Sequence, residues 1–193
     1  MKSGAEKQKE FMALASPLMD ELYRTALGMT RNRLDAEDLI QEVYMKAWRF
    51  FSSFQLGTNF RAWMFRILTN TYINQYRKKK RQPIQLQLEN VSNFIPDKSS
   101  AGKTWIEAEK TRDAYGEIFD DAITTALDSV PDYFRMIVLL ADVNELKYQE
   151  IATILDIPLG TVMSRLHRGR KMLAKALKGY AERHRYLDKD GGA

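Results

Sequence analysis

The chain has 193 residues, room for one medium domain or two small ones, and its 45% hydrophobic and 28% charged content is ordinary for a soluble folded protein. It contains no cysteine, which excludes disulfides, thiolate metal sites and redox sensing through its own thiols. The formal charge of +5 allows an anionic partner without naming one. Met1 to Glu10 lacks the apolar core of a signal peptide, and apolar runs such as Met136 to Ala141 are too short to span a bilayer. The expected location is the cytoplasm, with no membrane insertion.

From Phe11 the apolar residues Leu14, Ala15, Leu18, Leu22, Ala26 and Met29 recur at three and four, which predicts a helix with one buried stripe. A second helix is expected after Asp35 as N-cap, with Ala36, Leu39, Ile40, Val43, Ala47, Phe50 and Phe51 on one broad face. Phe54 to Asn59 reads as a loop carrying Gly57, with Thr58 or Asn59 as cap. A third helix follows from Phe60 to about Arg81. Periodicity fails from Gln82 to about Lys103, where Pro83, Pro96, Gly102 and two serines mark a linker.

Helical spacing returns near Trp105 and is clear from Phe119 to Val130. Pro131 starts the next helix, Tyr148 to Leu155 forms another, and after an Asp156-Ile157-Pro158 break a last helix runs from Leu159 or Gly160 to Lys178. No strand pattern competes. The expected fold is all-α: a domain over 1–81, a flexible linker over 82–115, a second domain over 116–180 and a disordered basic tail over 181–193.

Charge is unevenly placed. Phe60 to Arg81 holds Arg61, Arg66, Arg77, Lys78, Lys79, Lys80 and Arg81 and no acid, and Thr161 to Tyr180 again holds bases only. A basic helix end is favoured by the helix dipole alone, yet two of them form the footprint of phosphate contacts. The C-terminal pair of helices adds a helix-turn-helix pattern. Ile151, Ala152 and Leu155 face inward from the first helix, and Val162, Leu166, Gly169 and Leu173 from the second. Met163, Ser164, His167, Arg168 and Lys171 then form the opposite, outward stripe, suited to a major groove. Thr161 and Arg165 complete the candidate duplex-reading set, with Arg165 and Arg170 expected on phosphate. His167 has no second ligand at metal spacing.

In the N-terminal domain, Phe54, Phe60, Trp63, Tyr72 and Tyr76 interleave with Arg61, Arg66, Asn70, Asn74 and Arg77, the mixture that stacks and hydrogen-bonds single-stranded bases. Phe60 and Trp63 are better read as core. Asn70 and Asn74, four apart beside apolar neighbours, are the better base-reading candidates, since buried amides need partners. Asp38, Gln41, Glu42 and Met45 share an exposed face whose acids would repel DNA and so suit a protein partner.

These segments resemble the extracytoplasmic-function group of sigma-70 factors. Asp35-Ala-Glu-Asp-Leu-Ile-Gln-Glu42 looks like the region 2 helix that docks on the polymerase beta-prime clamp helices, and Asn59 to Asn74 like the segment that melts and reads the minus-ten element. Tyr148 to Arg170 resembles region 4, which contacts the beta flap and reads the minus-thirty-five element. No region 1 or region 3 domain is recognisable.

The resemblance implies an alternative sigma factor binding core RNA polymerase and promoter DNA, duplex and single-stranded. Its minus-ten residues would be Phe54, Gly57, Arg61, Ile67, Asn70, Asn74 and Arg77, and its linker would run through polymerase channels. Thr69 to Asn74 and Gly160 to Arg168 are close to the thiol-oxidative-stress subgroup, whose members are held by a zinc-containing anti-sigma factor; for this chain the resemblance implies a stress response under an anti-sigma factor, whose type it leaves open. Asp156 departs from the glycine common at the family's turn, but Asp tolerates left-handed backbone.

The rivals are a helix-turn-helix regulator that never enters polymerase, against which the asparagine and aromatic segment argues, and a helical enzyme. No nucleophile-base pair, metal-ligand set or phosphate-cradling loop supports the latter, and neither catalytic residue, metal nor cofactor is expected.

Overall fold

The computed structural model describes residues 3–81 and 121–183, whose regular elements are all helices, with no strand among the described residues. Helix α1 (Gly4–Ala15) starts on Ser3, whose hydroxyl accepts from Glu6 N while the Glu6 carboxylate accepts from Ser3 N. A 3-10 turn over Ser16–Leu18 follows, and α2 spans Met19–Thr30. The sequence reads α1 and α2 as one continuous stripe; Pro17, which has no N–H to donate, sits in the turn that separates them.

Arg31 takes a left-handed backbone, and α3 (Arg33–Phe50) is capped by Asn32, whose side chain accepts from Asp35 N at 3.0 Å. The cap therefore lies three residues before the expected Asp35. Ala36, Leu39, Ile40, Val43 and Ala47 are buried as expected, and so is Phe51, but Phe50 is 52% exposed because it falls off that face. A 3-10 turn over Phe51–Ser53 leads to the loop, and Asn59 Oδ1 caps α4 (Phe60–Arg81) by accepting from Ala62 N.

The second half comprises α5 (Asp121–Ser129), α6 (Asp132–Val138) continuing as a π-helical turn over Leu139–Val143, α7 (Tyr148–Leu155) and α8 (Leu159–Arg183). Pro131 is the cap of α6 rather than its first residue. Because α8 continues to Arg183, the tail expected to be disordered from residue 181 begins as helix. The linker over 82–115, the helical return near Trp105 and residues 184–193 lie outside the described residues.

Helices α2, α3 and α4 pack on one another, and α8 packs on α5, α6 and α7. The two halves also meet, through α2 against α6 and its π-helical turn and through α4 against α7. One apolar core runs from Leu22, Leu39 and Phe65 to Leu139, Ile151 and Leu166. Burial on this scale supplies most of the driving force, since a fully buried Leu or Phe contributes roughly 1.5 to 3 kcal/mol.

Candidate nucleic-acid interface

Helices α7 and α8 form the helix-turn-helix. Asp156 ends α7 at φ 53°, ψ 51°, so the aspartate does adopt the left-handed turn. Ile151, Ile154, Val162 and Leu166 are buried between the helices. Gly169 lets α8 lie close to α6: a Cβ there would stand 2.8 Å from Val138 Cγ2. With that face fixed inward, Met163, Ser164, His167, Arg168 and Lys171 are all exposed on the other.

Two expected phosphate contacts are otherwise engaged. Arg165 is half-buried, its guanidinium 3.7 Å from the centroid of the Tyr133 ring, and desolvation holds its pKa below the ordinary value. Arg170 grips Asp142 through both Nε and Nη2, and that hydrogen bonding raises its pKa. Thr161 is half-buried and its carbonyl accepts from the Ser164 hydroxyl. Tyr133 and Asp142 escaped sequence reasoning, because their partners lie 32 and 28 residues away and no local spacing links them.

On the N-terminal half, Asn70, Asn74 and Arg77 are exposed on α4, so the two amides are not the buried groups their apolar neighbours implied. Gly57 is exposed at φ 87°, a conformation that favours glycine. Ile67 is half-buried against the core. Phe54 is half-buried too, its ring packed with Phe51, Phe60 and Trp63 at centroid distances of 6.3, 5.1 and 5.0 Å, so it is part of an aromatic cluster rather than a free platform. Arg61 is occupied: its Nε lies 3.0 and 3.1 Å from the Glu21 carboxylate oxygens, and its Nη2 donates to Glu21 and to the Asn144 carbonyl. Tyr72 donates to the Met29 carbonyl and is buried enough to raise its pKa.

Asp38, Gln41 and Met45 form an exposed stripe on α3, with Met45 73% exposed. Leu34, 68% exposed, extends it by one turn and could have been found from the 34, 38, 41, 45 spacing. Glu42 leaves the stripe. It is half-buried, pairs with Lys46 at 2.5 Å and accepts from Gln75 of α4 at 2.7 Å; the Lys46 hydrogen bond is the main cause of its lowered pKa.

The family model for sigma-70 region 2 matches residues 14–82, and that for sigma-70 region 4 matches residues 120–173. The ECF RNA polymerase sigma factor SigW of Bacillus subtilis is 31% identical over 180 residues, 89% of this chain and 90% of that protein. The chain belongs to the ECF group of sigma-70 factors.

Other relatives of this ECF sigma factor include SigE of Mycolicibacterium smegmatis, 34% identical over 80% of this chain but only 56% of that longer protein. Sigma-E of Escherichia coli is 30% identical over 72% of each chain. Among solved structures, the sigma factor RpoE in complex with the anti-sigma factor NepR from Bartonella quintana aligns with a TM-score of 0.64 and 27% identity, covering 89% of this chain and 96% of that one. CnrH in complex with the cytosolic domain of CnrY aligns at 0.61 and 20% identity over 89% of this chain and 90% of that one, a likeness of fold.

Among the described residues no cluster of His, Asp and Glu could hold a metal ion, and no helix is long and apolar enough to cross a membrane.

Proposed function

We propose that this chain is an alternative sigma factor that joins core RNA polymerase in the cytoplasm and directs promoter-specific initiation, catalysing no reaction itself. A region 2 domain over 1–81 docks on polymerase and reads the minus-ten element, and a region 4 domain over 116–180 reads the minus-thirty-five element, joined by 82–115. The observation that carries this reading is the pair of exposed recognition surfaces on two helices of one family-matched chain: the Ser164, His167, Arg168 and Lys171 stripe of α8, and Asn70, Asn74 and Arg77 on α4.

The stripe fits a major groove, where Arg reads guanine by a bidentate hydrogen bond. Asn70 and Asn74, with Ile67 beside them and Gly57 in the loop before α4, offer amides and an apolar wall to an unstacked base. Leu34, Asp38, Gln41 and Met45 present an apolar and acidic stripe for polymerase, and the solved complex of RpoE with the anti-sigma factor NepR supports control by an anti-sigma factor.

In vitro transcription with core polymerase over a library of random promoters tests the reading. Initiation enriched on two sequence elements at fixed spacing is expected, and no initiation above core polymerase alone overturns it.

A further inference from the structure

The chain contains nine methionines and no cysteine, so thioethers are its only sulfur groups. A thioether is oxidised without first losing a proton, and its exposure governs how readily an oxidant reaches it. The described methionines fall into two classes. Met29, Met64 and Met136 are buried in the apolar core, whereas Met12, Met19, Met45, Met163 and Met172 are exposed. Two of the exposed ones stand in the surfaces proposed above for polymerase and for duplex DNA. Met45 ends the Leu34, Asp38 and Gln41 stripe of α3 and, at 73%, is the most exposed large hydrophobic side chain among the described residues. Met163, 52% exposed, stands on α8 one turn before His167.

Both positions present an apolar group to a partner. Met45 and Leu34 supply the apolar area of a stripe whose polarity comes from Asp38 and Gln41. In a major groove, the thioether of Met163 matches the methyl group of thymine. An oxygen on either sulfur adds a strong acceptor, and an acceptor buried in an interface without a donor costs binding. We propose that Met45 and Met163 are oxidative modification sites, at which hypochlorous acid converts thioether to sulfoxide and switches off polymerase docking and minus-thirty-five reading while the fold stands. The proposal rests on the promoter-reading function above. In the net step one S–O bond forms and the O–Cl bond of the oxidant breaks. Sulfur gives up two electrons, chlorine leaves with them as chloride, and the proton goes to solvent. The sulfoxide is reducible by enzymes, which makes the change reversible.

The full-length protein is treated with hypochlorous acid, quenched with free methionine and mapped by peptide mass spectrometry. Met45 and Met163 should be oxidised before Met29, Met64 and Met136, with helical circular dichroism unchanged. Affinity for core polymerase, and for a minus-thirty-five duplex selected from a random library, should each have fallen about tenfold or more, as expected when an unpaired acceptor is buried. Methionine sulfoxide reductases for both epimers should restore both affinities. Whatever its affinity before treatment, Met45→Leu should keep the same core affinity after it, and Met163→Leu the same duplex affinity. The combined variant Met12→Leu, Met19→Leu and Met172→Leu should respond to the oxidant as the parent does.

Oxidation at Met45 and Met163 without loss of binding overturns the proposal, and so does a loss that persists in the matching Leu variant or that the reductases do not reverse. If a Leu variant binds too weakly to be measured, recovery of the parent under the reductases decides the point in either direction. A reduced parent that binds neither core polymerase nor any promoter duplex overturns the proposed function instead. The order of oxidation then decides the sites, supported by Met45 and Met163 preceding the buried methionines and overturned by uniform oxidation.

Discussion

The Arg165 guanidinium lies over the Tyr133 ring, 3.7 Å from its centroid, and this contact ties α8 to α6. A cation over an aromatic face at a partly exposed site stabilises by about 0.5 to 1 kcal/mol. Tyr133→Ala and Arg165→Ala should each lower unfolding free energy by about that much, with a double variant no worse than the sum less the shared contact. Denaturant titration of the three variants checks it. A salt slope of DNA binding that falls by about 1 in Arg165→Ala would return Arg165 to the phosphate contacts.

Arg168 stands apart from its neighbouring arginines because it is exposed in the outward stripe, whereas Arg170 is paired with Asp142. Arg168→Ala should cost about 1 to 3 kcal/mol of discrimination between the preferred minus-thirty-five duplex and a scrambled one. Arg170→Ala should leave that ratio unchanged and lose at most about 1 kcal/mol of stability, the range of a surface ion pair. Anisotropy titrations on both duplexes separate the two. Equal losses on matched and scrambled DNA for Arg168→Ala would confine it to the backbone.

Glu42 is expected to act on polymerase binding indirectly, by bridging α3 and α4 through Lys46 and Gln75. Its carboxyl is held below the ordinary value chiefly by the Lys46 hydrogen bond, so the stabilisation is fully present above the ordinary carboxylate range and is lost as pH falls through the lowered value. Lys46→Met should move the Glu42 carboxyl titration upward, read by carbon-13 NMR. Asp38→Lys, on the exposed stripe, should weaken assembly with core polymerase without lowering the melting temperature, while Glu42→Lys should lower both. Undiminished assembly for Asp38→Lys removes the stripe from docking.

The helices and their inward faces were legible because period 3.6 patterning is local. Val162 and Leu166 predict the buried side of α8, and with it the outward side. Long-range pairing was not legible. Arg61 reads as a free DNA-binding base until Glu21 and Asn144, 40 and 83 residues away, are seen to hold it, and Arg165 likewise until Tyr133 is seen beneath it. Phe54 reads as a stacking platform because sequence shows its type but not the three rings that surround it. The helix break at Ser16 was hidden by an apolar stripe that continues across it, although Pro17 was the signal.

Strand opening requires a place for a base that has left the duplex, and such a base needs hydrogen-bond donors and acceptors that are not already used by the fold. Asn70 and Asn74 meet that condition better than Arg61 or Phe54, because both amides are exposed on α4 whereas Arg61 is ion-paired and Phe54 is packed among aromatics. An exposed amide removed from a helix surface changes stability by no more than about 0.5 kcal/mol, so Asn70→Ala should melt normally. It should nevertheless impair open-complex formation on duplex promoters and blur preference at one minus-ten position, with core binding near that of the parent. Gly57→Ala, by contrast, meets no atom within 4 Å but strains a backbone at φ 87°, and should shift the loop and slow opening without blurring base preference. Permanganate footprinting beside a minus-ten base-substitution series distinguishes the two variants, and an unaltered preference profile with normal melting for Asn70→Ala rules out base capture by that side chain.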